Sequence, residues 1–147
     1  MRLRNGPGCC RAARRSHRLI RRSLSRRVLG YSSLVEPQFT SLSELRRFAL
    51  GEGVSAQALF GEGAMLNLVE LMPDALIPPH SHPHEQLGVV LCGSLKFVVA
   101  GHEHVLAEMD AYALPGDVEH QAQAGSQGAL VLDVFQPVRE DYREAAQ

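Results

Sequence analysis

The segment Pro78-Pro-His-Ser-His-Pro-His-Glu-Gln-Leu-Gly-Val-Val-Leu-Cys-Gly93 carries three histidines and a glutamine at alternate positions, 80, 82, 84 and 86. In extended backbone, side chains two residues apart point to the same face, so these four project together. Neutral imidazole is the commonest protein ligand for zinc, nickel, copper or iron, which makes the cluster a candidate metal site. A solvated, histidine-rich surface loop is the plain alternative. The flanking prolines keep the run out of helix. Glu85 offers a carboxylate next door, but a shift of one residue puts its side chain on the other face.

A second group of residues with chemical potential closes the chain, in Ala129-Leu-Val-Leu-Asp-Val-Phe-Gln-Pro-Val-Arg-Glu-Asp-Tyr142. Asp133 interrupts an apolar run and shares a face with Val131 and Phe135. A carboxylate there is costly to bury unless it is paired or functional. One reading is an internal ion pair with Arg139, or a strand edge open to water. The functional reading makes Asp133 an acid/base beside the metal, Phe135 an apolar wall and Arg139 a clamp for a substrate carboxylate. The planar guanidinium fork suits that clamp because it binds carboxylates bidentately.

The elements that must position these residues are short strands. After Gly51, runs of Val, Leu, Ala and Phe are broken by Gly, Pro and Asp every eight to twelve residues, which is an all-β texture. The pattern predicts strands at 54–60, 64–72, 75–82, 85–92, 94–100, 103–107, 111–115, 118–124 and 128–136. Cys92-Gly93-Ser94 and Gly101-His102 read as tight hairpins. No crossover is long enough for a parallel sheet, so a sandwich or jelly-roll barrel follows. Ser41-Leu-Ser-Glu44 reads as a capping box opening a short helix over 41–48.

The net charge of -1 conceals two unlike parts. Residues 1–35 contain ten arginines and no acid, whereas residues 36–147 hold all sixteen acidic residues against Arg46, Arg47, Lys96, Arg139 and Arg143. Residues 36–147 therefore read as one domain and 1–35 as a basic, disordered leader. A mis-assigned start or a transit peptide gives the same composition, so organelle import is the alternative to a cytoplasmic location. A basic run without interleaved aromatics gives little reason to expect nucleic acid. No apolar run has the eighteen or so residues of a membrane span. Cys9 and Cys10 are adjacent and Cys92 stands alone, an odd count without scaffold spacing that suits a reducing compartment. Cys92 reads as a small buried residue, and His102 and His104 as solvated.

The first segment resembles the first cupin motif, G(X)5HXH(X)3–4E(X)6G. His80 and His82 form its HXH, Gln86 takes the acidic place and Gly93 closes it, with Asp74 in place of the leading glycine. The second motif, G(X)5PXG(X)2H(X)3N, is looser: Pro115 and His120 match, while Met109, Asp117 and Ala124 replace its glycines and asparagine. The resemblance implies a cupin-type double-stranded β-helix. It also implies one divalent transition metal (nickel, zinc, manganese or iron) held by His80, His82, Gln86 and His120. His84 is skipped by the spacing and reads as lining the mouth of the site or as solvated. With glutamine for glutamate, all four ligands are neutral, which favours Lewis-acid action and the binding of an anion. Small cupins similar to this one pair through strand edges, which implies a homodimer.

Together with the terminal Asp-Val-Phe-x-Pro-x-Arg, the first motif resembles the pectin-degradation cupins that linearise unsaturated uronates. That likeness implies a small carboxylated sugar as substrate and conversion of a 4,5-unsaturated monouronate to its linear keto form. It assigns Asp133, Phe135 and Arg139 to catalysis, with Arg139, Phe135 and Tyr112 binding substrate; packing is the plain role for Tyr112 and Tyr142. A cupin oxygenase, or a cupin that binds a small acid without turnover, is the alternative.

Overall fold

The computed structural model describes residues 37–147, so the basic leader at 1–35 lies outside the described residues. Eight antiparallel strands follow one another: β1 (Arg47–Gly51), β2 (Val54–Phe60), β3 (Met65–Leu71), β4 (Leu76–His80), β5 (Glu85–Val99), β6 (His102–Ala107), β7 (Ala111–Leu114) and β8 (His120–Gln136), before a short helix α1 (Glu140–Ala145). The fold is the cupin-type jelly roll.

The two long strands organise it. The first half of β5 pairs with the second half of β8, and the second half of β5 with the first half of β8. Around the former pair, β3 carries β2 and β1 on one side and β7 lies on the other. Around the latter pair lie β4 and β6. A six-stranded and a four-stranded layer thus share β5 and β8. Between them the inward positions pack an aliphatic core of Val54, Ala56, Met65, Val69, Leu71, Val90, Leu95, Phe97, Leu114, Ala122 and Val131. The burial alternation of β3, and of β8 on either side of a break at 126–129, is the period-2 signature of strands with one face inward.

Three sequence expectations are corrected. Cys92-Gly93-Ser94 is not a hairpin, and 85–92 and 94–100 are not two strands: β5 runs through, with register irregularities on both sides of Gly93. Likewise 118–124 and 128–136 are one strand, β8. Gly93 has φ 79° and Gly128 φ 78°, and a Cβ on Gly93 would come within 2.1 Å of the Gly128 carbonyl oxygen. A glycine flanked by apolar runs marks a bulged bend here as readily as a turn, and the long strands cross between layers at that point. The hairpin after β5 does exist, turning on Ala100 and Gly101, both at positive φ, one residue earlier than expected.

The helix over 41–48 shrinks to a single 3-10 turn, Leu42–Glu44, with no side-chain cap from Ser41. Residues 47–51 join β2 instead, because Phe48 gains burial in the core and Arg47 gains a place opposite Gln57. The Gln57 amide donates to the Leu45 carbonyl at 2.8 Å and ties the turn to the sheet. Conversely, α1 has no counterpart in the sequence reading. Its Tyr142 ring sits edge-on to Phe48 and Phe135, at 5.6 and 5.8 Å, which folds the C-terminus back onto the barrel. Cys92 is buried as expected.

Three motif glycines are replaced without loss of the conformation they serve. Asp74, Met109 and Asp117 stand where the two motifs place glycine, and all three have positive φ, 61°, 71° and 64°. Aspartate tolerates this region fairly well; methionine carries a steric cost there.

Candidate metal centre

His80 ends β4 and His120 opens β8, and the two are cross-strand partners. Their rings lie 4.4 Å apart, centroid to centroid. The expected strand 75–82 stops at His80, and the chain turns through 81–84 before β5 begins. That turn carries His82 back over the pair, 5.1 Å from the His120 ring. One ring nitrogen from each of His80, His82 and His120 lies within 4.8 Å of the others.

The tautomers follow from the partners. Each Nδ1 faces a backbone carbonyl: His80 to Pro78 at 2.9 Å, His82 to His84 at 3.0 Å and His120 to Val118 at 2.8 Å. A carbonyl only accepts, so each Nδ1 bears the proton and each Nε2 keeps its lone pair. Burial holds the His82 and His120 imidazoles below the usual histidine pKa, which favours the neutral form. The Nε2 of His120 is buried without a hydrogen-bond partner among the described residues.

Gln86 completes the arrangement from β5. Its Nε2 donates to the Asp133 carboxylate at 3.1 Å, which fixes its Oε1 toward His82 Nε2 at 3.3 Å. Two lone-pair acceptors therefore face each other beside a third, unpartnered one. That donor set fits a divalent metal, which satisfies all of them at once. The carbonyls on Nδ1 act as the outer supports that orient metal-binding imidazoles. Glu85 is exposed, as its parity requires. His84 does not join the other three. Its ring lies 5.6 Å from that of His82, its Nδ1 is buried without a hydrogen-bond partner among the described residues, and its backbone carbonyl holds His82.

A cavity of about 340 Å³ opens beside the cluster, lined by His80, Gln86, Tyr112, His120, Asp133 and Arg139 among others. Asp133 is 5% exposed. It does not pair with Arg139; it accepts from Gln86 and, at 2.5 Å, from the Tyr112 hydroxyl. Burial pushes its carboxyl up to about 6, and those two hydrogen bonds hold it from going higher. Burial likewise raises the Tyr112 hydroxyl far above the ordinary tyrosine value, so Tyr112 remains a donor. Room for this bond comes from Gly88, whose register partners are Tyr112 and Asp133. A Cβ there would lie 2.2 Å from the Tyr112 ring and 2.6 Å from Asp133 Oδ1.

Arg139 precedes α1 and is held by Asp141, Nη2 to Oδ2 at 2.7 Å and Nε to Oδ1 at 3.3 Å. Its guanidinium lies 4.0 Å from the Tyr142 ring centroid and 5.2 Å from that of Phe135. Phe135 is buried, 5.4 Å from the His82 ring. His80, Gln86, Tyr112, His120, Asp133, Phe135 and Arg139 therefore line one cavity, with His82 in the histidine cluster beside it. Asn67, on the same wall, was missed; its signal was a polar residue at an inward position of the Met65-Leu-Asn-Leu-Val-Glu-Leu71 alternation. His102 and His104 are exposed on β6, away from the site. Among the described residues, no helix is long and apolar enough to cross a membrane.

The family model described as "Cupin domain" matches residues 67–135. Pectin degradation protein KdgF of Dickeya dadantii (strain 3937) is 28% identical over 95 residues, 63% of this chain and 86% of that one. The solved structure of KdgF from Halomonas sp. superposes with a TM-score of 0.68 at 27% identity, covering 73% of this chain and 99% of the other. An RmlC-like cupin from Shewanella frigidimarina NCIMB 400 gives 0.67 at 28% identity, covering 73% and 96%. Oxalate decarboxylase from Bacillus subtilis, at 22% identity, TM-score 0.64 and coverage of 74% and 32%, shares the fold alone. Residues 67–135 thus match a cupin domain, the chain has the fold of the solved cupins, and in sequence and fold it resembles the pectin-degradation protein KdgF.

Proposed function

We propose that this chain is a metal-dependent enzyme that converts a 4,5-unsaturated monouronate to its linear keto form. The observation that carries the reading is the double role of Gln86. One end of its amide faces the histidine cluster and the other is bonded to Asp133, a buried carboxylate poised near pH 6 in the wall of the same cavity. Metal and acid/base are thereby set side by side, with Arg139, held by Asp141, lining the same space. The likeness to KdgF supports the substrate class.

A divalent metal held by His80, His82, Gln86 and His120 supplies Lewis acidity toward substrate oxygens. Arg139, kept in place by Asp141 and the Tyr142 ring, binds the uronate carboxylate. Phe135 forms an apolar wall and excludes water. Asp133 accepts the proton of the anomeric hydroxyl as the bond between the anomeric carbon and the ring oxygen breaks. The ring oxygen leaves with that electron pair, which makes the aldehyde at one end and an enolate at the other. Asp133 then returns the same proton to C4, which gives the ketone at C5, so the conversion is an isomerisation with no co-reactant. A carboxyl near pH 6 is suited to both transfers. Tyr112 donates to Asp133 throughout and holds its orientation.

The test is to add the product of a pectate or alginate lyase to metal-loaded protein and follow loss of the ring alkene. Acceleration over spontaneous opening is expected. A rate equal to the spontaneous one, with metal content verified, refutes the reading.

A further inference from the structure

The steps above leave one polar side chain of the cavity without a task. Asn67 lies on β3 directly opposite Asp133 of β8, on the inward face between Met65 and Val69. It is 1% exposed and lines the cavity, yet its Oδ1 has no hydrogen-bond partner among the described residues. Buried amides are almost always bonded, and one left unmade costs stability that an apolar side chain of the same size would not. The surrounding wall, Val69, Leu71, Leu95, Phe97 and Val131, is apolar, so nothing in the barrel's packing calls for a polar group at this point. Asp133 is already engaged by Tyr112 and Gln86.

We propose that Asn67 is a specificity-determining residue: its side-chain oxygen accepts a hydrogen bond from a hydroxyl of the ligand in this cavity, so the site prefers hydroxylated carboxylates to plain ones. The proposal deepens the reading of the cavity as a carboxylated-sugar site and rests on it. Its chemical basis is the unpaired acceptor. An acid that brings a hydroxyl to Asn67 satisfies it, and one without a hydroxyl leaves it buried and unmet, which is the strongest form of discrimination a small pocket has. The partner is a donor because the orphaned atom is an oxygen, and it sits beside Asp133, where the reacting end of the ligand must lie.

The experiment compares galacturonate with cyclohexanecarboxylate, a six-membered ring acid without hydroxyls, by calorimetric titration of the metal-loaded chain and of Asn67→Leu. The wild type is expected to favour galacturonate, and Asn67→Leu to lose about three- to tenfold of that preference, the size of one neutral hydrogen bond. Binding of cyclohexanecarboxylate should hold or improve, and the melting temperature of the ligand-free variant should equal or exceed that of the wild type. No preference in the wild type, an unchanged preference in the variant, or equal weakening of both acids overturns the proposal. A melting temperature lowered in Asn67→Leu, Asn67→Ala and Asn67→Thr alike also overturns it, by exposing a structural partner for the amide. Should leucine be too wide for the slot, Asn67→Ala and Asn67→Thr decide the matter: alanine should lose the preference and threonine retain part of it, and equal preference in both is a refutation. A chain that selects galacturonate through Asn67 but leaves an unsaturated uronate unchanged refutes ring opening and not this assignment. Undiminished selectivity and turnover in Asn67→Leu does the reverse.

Discussion

The two walls of the cavity are built by different means. On the four-stranded layer, His80 and His120 sit at the ends of β4 and β8, and His82 in the turn between β4 and β5; each ring is steered by a backbone carbonyl no more than two residues away. On the six-stranded layer, Asp133, Tyr112, Gln86 and Asn67 come from four different strands and meet only through register. In the histidine wall the orientation of each ring is set locally, although the β4–β8 pairing is what brings His80 and His120 together. The acid wall is a tertiary device, in which a buried carboxylate exists because two neighbouring strands, β5 and β7, bring donors and space to it. Metal retention and proton transfer should therefore be separable, with Gln86 as the one residue belonging to both.

The largest expected effect breaks the histidine wall. His82→Ala should lower metal content in elemental analysis and reduce activity about 100-fold or more, with the strand content by circular dichroism unchanged. Retention of full metal and activity would remove His82 from the ligand set. Asp133→Asn addresses the other wall: metal content should stay while turnover falls about 10²- to 10⁴-fold, the range for a lost general acid/base. The same variant has a stability signature. Because burial raises the folded-state pKa of Asp133 to about 6, ionisation above that pH costs folding free energy, and below the ordinary aspartate value the cost disappears. Metal-free Asp133→Asn should thus melt higher than the wild type at pH 7.5, with the gap closing as the pH falls toward 4. A gap that widens on acidification would contradict the assignment.

Smaller effects sharpen the contrast. Gly88→Ala forces a methyl into the Tyr112–Asp133 contact, and about 1–3 kcal/mol of destabilisation is expected from such overpacking. Activity should drop about tenfold at undiminished metal content; equal loss of both would mean that the two walls are not independent. The smallest change lies outside both walls. Met109 is 73% exposed at φ 71°, so Met109→Gly removes strain and little packing. A gain of about 1 kcal/mol, read as a few degrees in melting temperature, is expected with activity unaltered.

The contrast also explains what could be read in the residues before any fold was known. Strand parity picked out His80, His82, His84 and Gln86 and set Glu85 aside. The resemblance to the cupin motifs dropped His84 and added His120, whereas the turn through 81–84 that carries His82 to the other two rings was not legible. The parity argument also flagged Asp133 as an acid among apolar inward residues. Applied to β3, it would have flagged Asn67 too, but an amide among leucines is a weaker anomaly than a charge. The helical reading of 41–48 failed because a capping pattern is worth little against the burial of Phe48 and pairing with β2. The hairpin at Gly93 failed because positive φ serves a bulge and a turn equally well, and only the partner strand decides which.

By itself, the amino-acid sequence determined the all-β class and the inward and outward faces of most strands, because each depends on side-chain type and a period of two, while motif spacing marked His80, His82 and His120. Only the tertiary structure decided that β5 and β8 each run unbroken through both layers, that Asp133 is bonded to Tyr112 and Gln86 rather than to Arg139, and that a terminal helix holds Arg139 at the cavity. Those are facts of register and long-range packing, and a single strand carries no record of which neighbour it will meet or in what alignment.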